Sequence, residues 1–322
     1  MNFQNLHSIE PADFFIDLAF RSAKKRSSLA RASAPGGDRV KKSRYIETVR
    51  IETVAATIIE KLSEIESGFP VIESLPDFYQ KLADIALPCY DMKRALSGIK
   101  FAVAKIRELR DKTKNTIKKG NVIELMNSAR REFYGRVNSI MEDLDPHLAL
   151  LERSRKIMKD FPTIKTDAYT VTITGFPNVG KTTLLAKLTG SSPNIQPYAF
   201  TTKGINVGYA RVDGEKVQFL DTPGTLNRFN RMNFIEKQSY LAIQLLAQFV
   251  VYVFDVTEAS APLEAQVRLY GEVKEKGIPM MVYLAKSDVA KKEILAEFKK
   301  KYNAATLPSE VLVSVSQRFS KK

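Results

Sequence analysis

The apolar positions of this 322-residue chain change their period once. Over the first half they recur at three- and four-residue spacing, as a helix with one buried stripe requires. Val49, Val54, Ile58, Ile59, Leu62 and Ile65 keep that spacing and predict a helix over 45–67, stopped by Gly68 and Pro70. An earlier helix opens at Pro11, a residue suited to a first helical turn. Further helices are predicted over 75–87, 92–118, 123–144 and 147–159, the last two separated at Asp145 and Pro146. Long helices with short connections make an antiparallel bundle.

From residue 169 onward strand and helix patterns alternate. Residues 169–174 read YTVTIT, β-branched and alternating. Runs over 207–212 and 216–220 flank Asp213-Gly214, a hairpin turn. Residues 249–254 (FVVYVF) are continuously apolar, as in a strand buried on both faces. Residues 278–285 and 311–315 predict two more strands, and helices are predicted over 233–248, 262–276 and 291–302. This alternation predicts a doubly wound, mostly parallel sheet with ligand at the carboxyl ends of its strands. The chain then divides into an all-α bundle over 1–165 and an α/β domain over 166–322. Taking 311–315 as the last strand leaves no room before Lys322 for the usual last helix.

Residues 175–182 read GFPNVGKT, which fits GxxxxGK(S/T) between a predicted strand and a predicted helix. Gly175 and Gly180 let the backbone curl so that the loop from Phe176 and Pro177 through Asn178 and Val179 to Thr183 wraps the phosphates, with its N–H groups (Pro177 has none) facing them. Lys181 is placed to reach the β- and γ-phosphates, and Thr182 to ligate Mg²⁺. The loop asks for a nucleoside triphosphate without saying which base. Asp221 to Gly224 fit DxxG at the end of a strand, with Asp221 bound to Mg²⁺ through water and the Gly224 N–H sensing the γ-phosphate. Between the two motifs Thr202, or its neighbour Thr201, is the candidate to complete the Mg²⁺ shell.

Net charge is +14, which asks for an anionic partner. Residues 1–165 hold 30 basic and 22 acidic side chains, an excess of eight, and residues 21–44 hold nine and one, the same excess. The bundle's excess is therefore local, which favours a binding patch. A second basic stripe runs from Lys105 to Arg131 and reads equally well as a solvated helix face. Nucleic acid fits this charge best. Neither a strongly amphipathic terminal helix nor a lipidation motif supports stable membrane association. Cys89 is the only cysteine and residues 1–8 carry no signal-peptide pattern, so the expected compartment is the reducing cytoplasm. His7 and His147 offer no zinc constellation.

GFPNVGKTTLL, QPYAFTTKGINVGYA and DTPGTLNR together resemble the Obg-related GTPases, and the run from Arg44 through SGFPVIESLPDFYQKLADI resembles the amino-terminal bundle of the nucleolar GTP-binding (Nog) family. The likeness covers most of the chain and is that of a compact archaeal-type member. It implies GTP and GDP as ligands and assembly of the large ribosomal subunit as the role, the bundle resting on ribosomal RNA or its precursor and the protein acting as a monomer. It makes Lys286 and Asp288, with Ser287 between them, the guanine-reading segment, and Ser314 and Val315 the pair whose backbone meets the guanine O6. It makes Asn178 a candidate to help hold K⁺. Two departures stand out. Ala285 occupies the asparagine position of the Asn-Lys-x-Asp motif, and Thr225 follows Gly224 where a water-positioning glutamine would speed hydrolysis. The expectation is a slow, Mg²⁺-dependent GTP switch in which Lys181, Thr202 and Gly224 serve catalysis. Two rival readings share these residues: a regulator on mature ribosomes, and a non-catalytic RNA-binding scaffold that nucleotide merely stabilises.

Overall fold

The computed structural model describes residues 3–32, 38–190, 205–222 and 234–319. They form two compact units, and the chain enters each of them twice. The first holds residues 3–74 and 87–161, the second 75–86 and 162 onward.

The first unit is all helical: α1 (Ala12–Ala32), α2 (Arg39–Gly68), α4 (Cys89–Lys119) and α5 (Ile123–Lys159). α1 lies on α2, α2 on α4, α4 on α5, and α5 also meets α1 and α2. Asp145 on α5 accepts the backbone N–H of Ala12 at 2.7 Å, so one helix satisfies the open first turn of another. Glu152 does the same for Ile9 at 3.0 Å while holding Arg155 through two bonds. The predicted break at Pro146 does not occur; α5 runs through it. Its buried stripe (Val137, Met141, Leu144, Leu148, Leu151) keeps helical spacing across the proline. Pro146 itself is exposed, so the carbonyl it strands, that of Glu142, faces water and the cost is small.

The second unit is a five-stranded sheet in the order β2-β3-β1-β4-β5. The strands are β1 (Thr170–Thr174), β2 (Asn206–Val212), β3 (Glu215–Asp221), β4 (Phe249–Asp255) and β5 (Met280–Ala285). β2 and β3 form the antiparallel hairpin; the other pairings are parallel. Helices α6 (Lys181–Thr189) and α10 (Pro308–Phe319) cover one face, α8 (Leu263–Lys274) and α9 (Lys292–Tyr302) the other. The apolar run of β4 serves both: Phe249, Val251 and Val253 enter one core, Val250, Tyr252 and Phe254 the other.

α3 (Asp77–Ala86) departs from the sequence boundary at residue 165. It packs on α7 (Phe234–Leu245), inside the second unit. The buried Tyr79 hydroxyl accepts the N–H of Ile164 at 2.8 Å and donates to the carbonyl of Pro162 at 2.9 Å. Desolvation pushes this phenol up to about 12.

Residues 311–315 are not a strand. They lie in α10, where Val311 and Val315 are one helical turn apart and both fully buried against the sheet. Pro308 opens this helix and the Glu310 carboxylate accepts the N–H groups of Thr306 and Leu307, half of a capping box. The sixth strand shrinks to one parallel bridge, Ala305 with Tyr283. The last helix that the strand assignment left out is therefore present.

Candidate functional site

The parallel register sets several polar residues at one edge of the sheet. Ile173 pairs with Asp221, Thr174 with Tyr252, and Asp255 with Ala285, each near the carboxyl end of its strand. The loop from β1 to α6 starts at that edge. Gly175 has φ 146°, and a Cβ there would stand 2.5 Å from the carbonyl oxygen of Val253, so only glycine fits. Asn178 (φ 62°) and Gly180 (φ 104°) are also left-handed and turn the loop into the first turn of α6. Val179 is fully buried and pins the loop to the core.

Lys181 is 7% exposed and folds back over the loop, donating to the carbonyls of Gly175 at 3.0 Å and Phe176 at 2.7 Å. Burial pulls its ammonium down to about 8, opposed by the charge of Asp221. Thr182 donates its hydroxyl to Asp221 Oδ2 at 2.6 Å, and Asn206 donates to the same oxygen at 3.1 Å. Asp221 is fully buried, and desolvation pushes its carboxyl up against the pull of Lys181. Its other oxygen, Oδ1, has no hydrogen-bond partner. A buried bare carboxylate oxygen beside a threonine hydroxyl fits a hard divalent cation or its water. Among the described residues no cluster of three or more His, Cys, Asp or Glu offers another metal site. Thr222 ties the end of β3 to β1 by donating its hydroxyl to the carbonyl of Ile173 at 3.0 Å. Thr201, Thr202, Gly224 and Thr225 lie outside the described residues.

Beyond β5 the chain turns sharply at Lys286, φ 54°. Lys286 Nζ donates to Asp255 Oδ2 at 2.6 Å. Asp255 is fully buried at the end of β4 and also accepts from the Thr257 N–H at 3.0 Å and the Ser260 hydroxyl at 2.8 Å. Burial alone would raise its carboxyl; the bonds from Lys286, Thr257 and Ser260 outweigh it and hold the group below its ordinary range. Gln266 of α8, fully buried, braces the same point. It accepts the Asp255 N–H at 2.9 Å and donates to the carbonyls of Asp255 at 2.9 Å and Ala261 at 2.8 Å. Ser287 is half-buried and Asp288 exposed. Ala285 faces the phosphate loop: its methyl would lie 3.3 Å from a Cβ at Gly180.

Ser314 and Val315 are not at this edge as base-contacting groups. They stand inside α10, where the Ser314 hydroxyl donates to the carbonyl of Glu310 at 3.0 Å and Val315 is in the core. Backbone N–H groups within a helix bond to the preceding turn and have nothing left for a base. The position past the sixth strand belongs instead to Thr306 and Leu307. Sequence reasoning missed Asp255, Gln266, Asn206 and Glu310. Only Glu310 had a signal, the spacing of a capping glutamate two residues after Pro308.

The family model for the NOG1 N-terminal helical domain matches residues 3–165, and one described as 50S ribosome-binding GTPase matches residues 170–286. The chain belongs to the NOG1 family. An uncharacterized protein of Methanocaldococcus jannaschii is 37% identical over 78% of this chain and 71% of its own length. Nucleolar GTP-binding protein 1 of Saccharomyces cerevisiae is 30% identical over 92% of this chain and 46% of its own length, and that of Kluyveromyces lactis is 29% identical over 94% and 47%. The chain thus spans about half the length of these NOG1 relatives. A solved structure of Era in complex with MgGDPNP and nucleotides 1506–1542 of 16S ribosomal RNA is 25% identical over 48% of this chain and 57% of that one, with a TM-score of 0.38. No helix among the described residues is long and apolar enough to cross a membrane.

Proposed function

We propose that this NOG1-family chain is a GTP-binding switch with slow, Mg²⁺-dependent hydrolysis that acts in the cytoplasm on the large ribosomal subunit or its precursor. The observation that carries the nucleotide reading is the bare Asp221 Oδ1 beside Thr182, one strand from the glycine loop. Thr182 and Asp221 would hold Mg²⁺, the loop from Gly175 to Thr183 the phosphates, and Lys286, Ser287 and Asp288 the base. Mg²⁺, when bound, neutralises charge on the phosphates. Lys181 must leave the carbonyls of Gly175 and Phe176 to meet a phosphate, and a β/γ-phosphate pair is the anion that would draw it out. Thr202 and Gly224 would close the site over the γ-phosphate. K⁺ held by Asn178 would add positive charge there; the left-handed backbone at Asn178 is equally what a turn asparagine provides.

The ribosomal part of the reading rests on the family and on the charge concentrated in residues 21–44. The test is equilibrium binding of GDP, GTP, ADP and ATP in Mg²⁺ with K⁺ or Na⁺, beside Lys181→Ala. Tight binding confined to guanine nucleotides and lost in the variant is expected, with co-sedimentation on immature large subunits. Base-blind or weak binding would overturn the switch and leave the scaffold reading, which Ala285 favours. Co-sedimentation with whole ribosomes alone would favour the regulator on mature ribosomes.

A further inference from the structure

Two hollows in the helical unit are linked by one buried carboxylate, which lines one and bonds two arginines of the other. Lys24, Arg50, Arg130 and Arg131 line the first, of about 280 Å³, together with the rings of Phe20 and Tyr134. Arg31, Arg39 and Lys42 line the second, of about 240 Å³, with Glu47 at its wall. Glu47 is 4% exposed, and it is the only acid among the lining residues of either hollow. It accepts Arg50 at 2.6 Å and Arg130 at 3.0 and 3.1 Å. One carboxylate thus orients two guanidinium groups, whose side chains are only 19% and 22% exposed. The remaining lining cations make no ion pair among the described residues.

We infer that this pair of hollows is the RNA-binding groove of the helical unit, taking the phosphates and an unstacked base of a single-stranded or looped segment. The inference rests on the ribosomal reading above and gives it a place. Fixed guanidinium forks match phosphate oxygens, and the recessed Arg50 and Arg130, rimmed by the exposed Lys24 and Arg131, suit a strand that enters rather than a flat membrane surface. The Phe20 and Tyr134 rings, 4.8 Å apart and both half-buried, stand among those cations with Arg130 over the Tyr134 face. Rings interleaved with cations are the hallmark of sequence-tolerant single-strand binding. The α4 part of the second basic stripe differs: Lys105 is paired with Glu108, Arg110 with Asp111 and Lys114 with Glu52. Three of the seven cations from Lys105 to Lys119 are already paired.

The test measures binding of the full chain to a fluorescent stem-loop RNA and to polyuridine over a range of salt. The paired substitution Lys24→Glu with Arg131→Glu is compared with Arg107→Glu and Lys112→Glu on α4, which changes net charge equally. The groove variant should lose at least about tenfold in affinity, and its slope of log K against log salt should flatten by about one to two. The α4 variant should keep the affinity within about threefold. A third variant, Glu47→Gln, separates a built site from a diffuse field. It adds positive charge, so a diffuse patch would bind tighter; a groove that needs Arg50 and Arg130 held in place binds weaker. Circular dichroism and melting confirm that each variant is folded. Equal losses in both paired variants, or tighter binding by Glu47→Gln, overturn the groove while leaving the ribosomal reading standing. No RNA binding by the unaltered chain overturns both, and binding to phosphatidylserine vesicles in its place assigns the hollows to a membrane.

Discussion

Lys286 Nζ lies 2.6 Å from Asp255 Oδ2, so the lysine of the segment proposed to read the base is anchored by the strand beside it. In this chain Ala285 offers the phosphate loop a methyl where an asparagine would offer an amide. The Asp255 network ties the segment down from the other side.

Asp255→Asn should therefore weaken more than stability. Hydrogen bonds to charged groups are worth about 1.5–3 kcal/mol. The variant is expected to lose about tenfold or more in GDP affinity by calorimetry, with a lower melting temperature. Unchanged GDP affinity would show that the anchor does not serve the base.

Gly175→Ala tests the phosphate loop through its backbone. A methyl there meets the Val253 carbonyl at 2.5 Å, so loop or strand must move. Strained substitutions of this kind cost on the order of 1–3 kcal/mol. GDP binding should fall below detection at micromolar protein while the helical unit keeps its circular dichroism.

Tyr79→Phe removes a hydroxyl that satisfies the buried N–H of Ile164. Leaving that donor unpaired costs about 1–3 kcal/mol. Because Tyr79 belongs to the nucleotide unit, bound GDP should offset much of the loss in a thermal melt. A variant transition that GDP does not raise would place α3 outside the cooperative unit.

Acid stability should follow Glu152. Its bonds from Arg155, opposed by burial and helped by the Ile9 N–H, hold its carboxyl at about 2 against an ordinary 4.5. A depressed carboxylate stabilises the fold above its unfolded value and loses that as pH falls through the folded one. The contribution, at most about 3 kcal/mol, should fade between about pH 4.5 and 2. Glu152→Gln should unfold more easily in urea at pH 7 and show a shallower pH dependence across that window. Parallel curves for the two proteins would remove Glu152 from the account.

Much of this architecture was legible because period and punctuation agreed. β4 announced itself as six apolar residues in a row, and the glycine loop sat between a strand and a helix as phosphate binding requires. Residues 311–315 misled because VLVSV satisfies both periods: alternation suits a strand, while Val311 and Val315 also fall on one helical face. Only the packing against β2 and α6 decides between them. Pro146 misled for the opposite reason, since a strong local breaker was overruled by a buried stripe that continued past it. Asp255 and Asn206 carried no signal at all. Their partners, Lys286 and Asp221, lie 31 and 15 residues away, and contacts at that distance are made by sheet register rather than by local pattern.

The crossing of the chain at α3 sets an order of events during synthesis. Phe78, Tyr79, Leu82 and Ala83 are buried only when Ile164 and α7 are in place. A nascent chain emerges from its amino end, so this apolar face is made some 150 residues before α7 follows it. The helical unit has its last element, α5, by residue 159 and can fold while α3 still waits for its partners. For that interval α3 is a sticky tether in an otherwise finished bundle, and the segment most in need of a chaperone's cover.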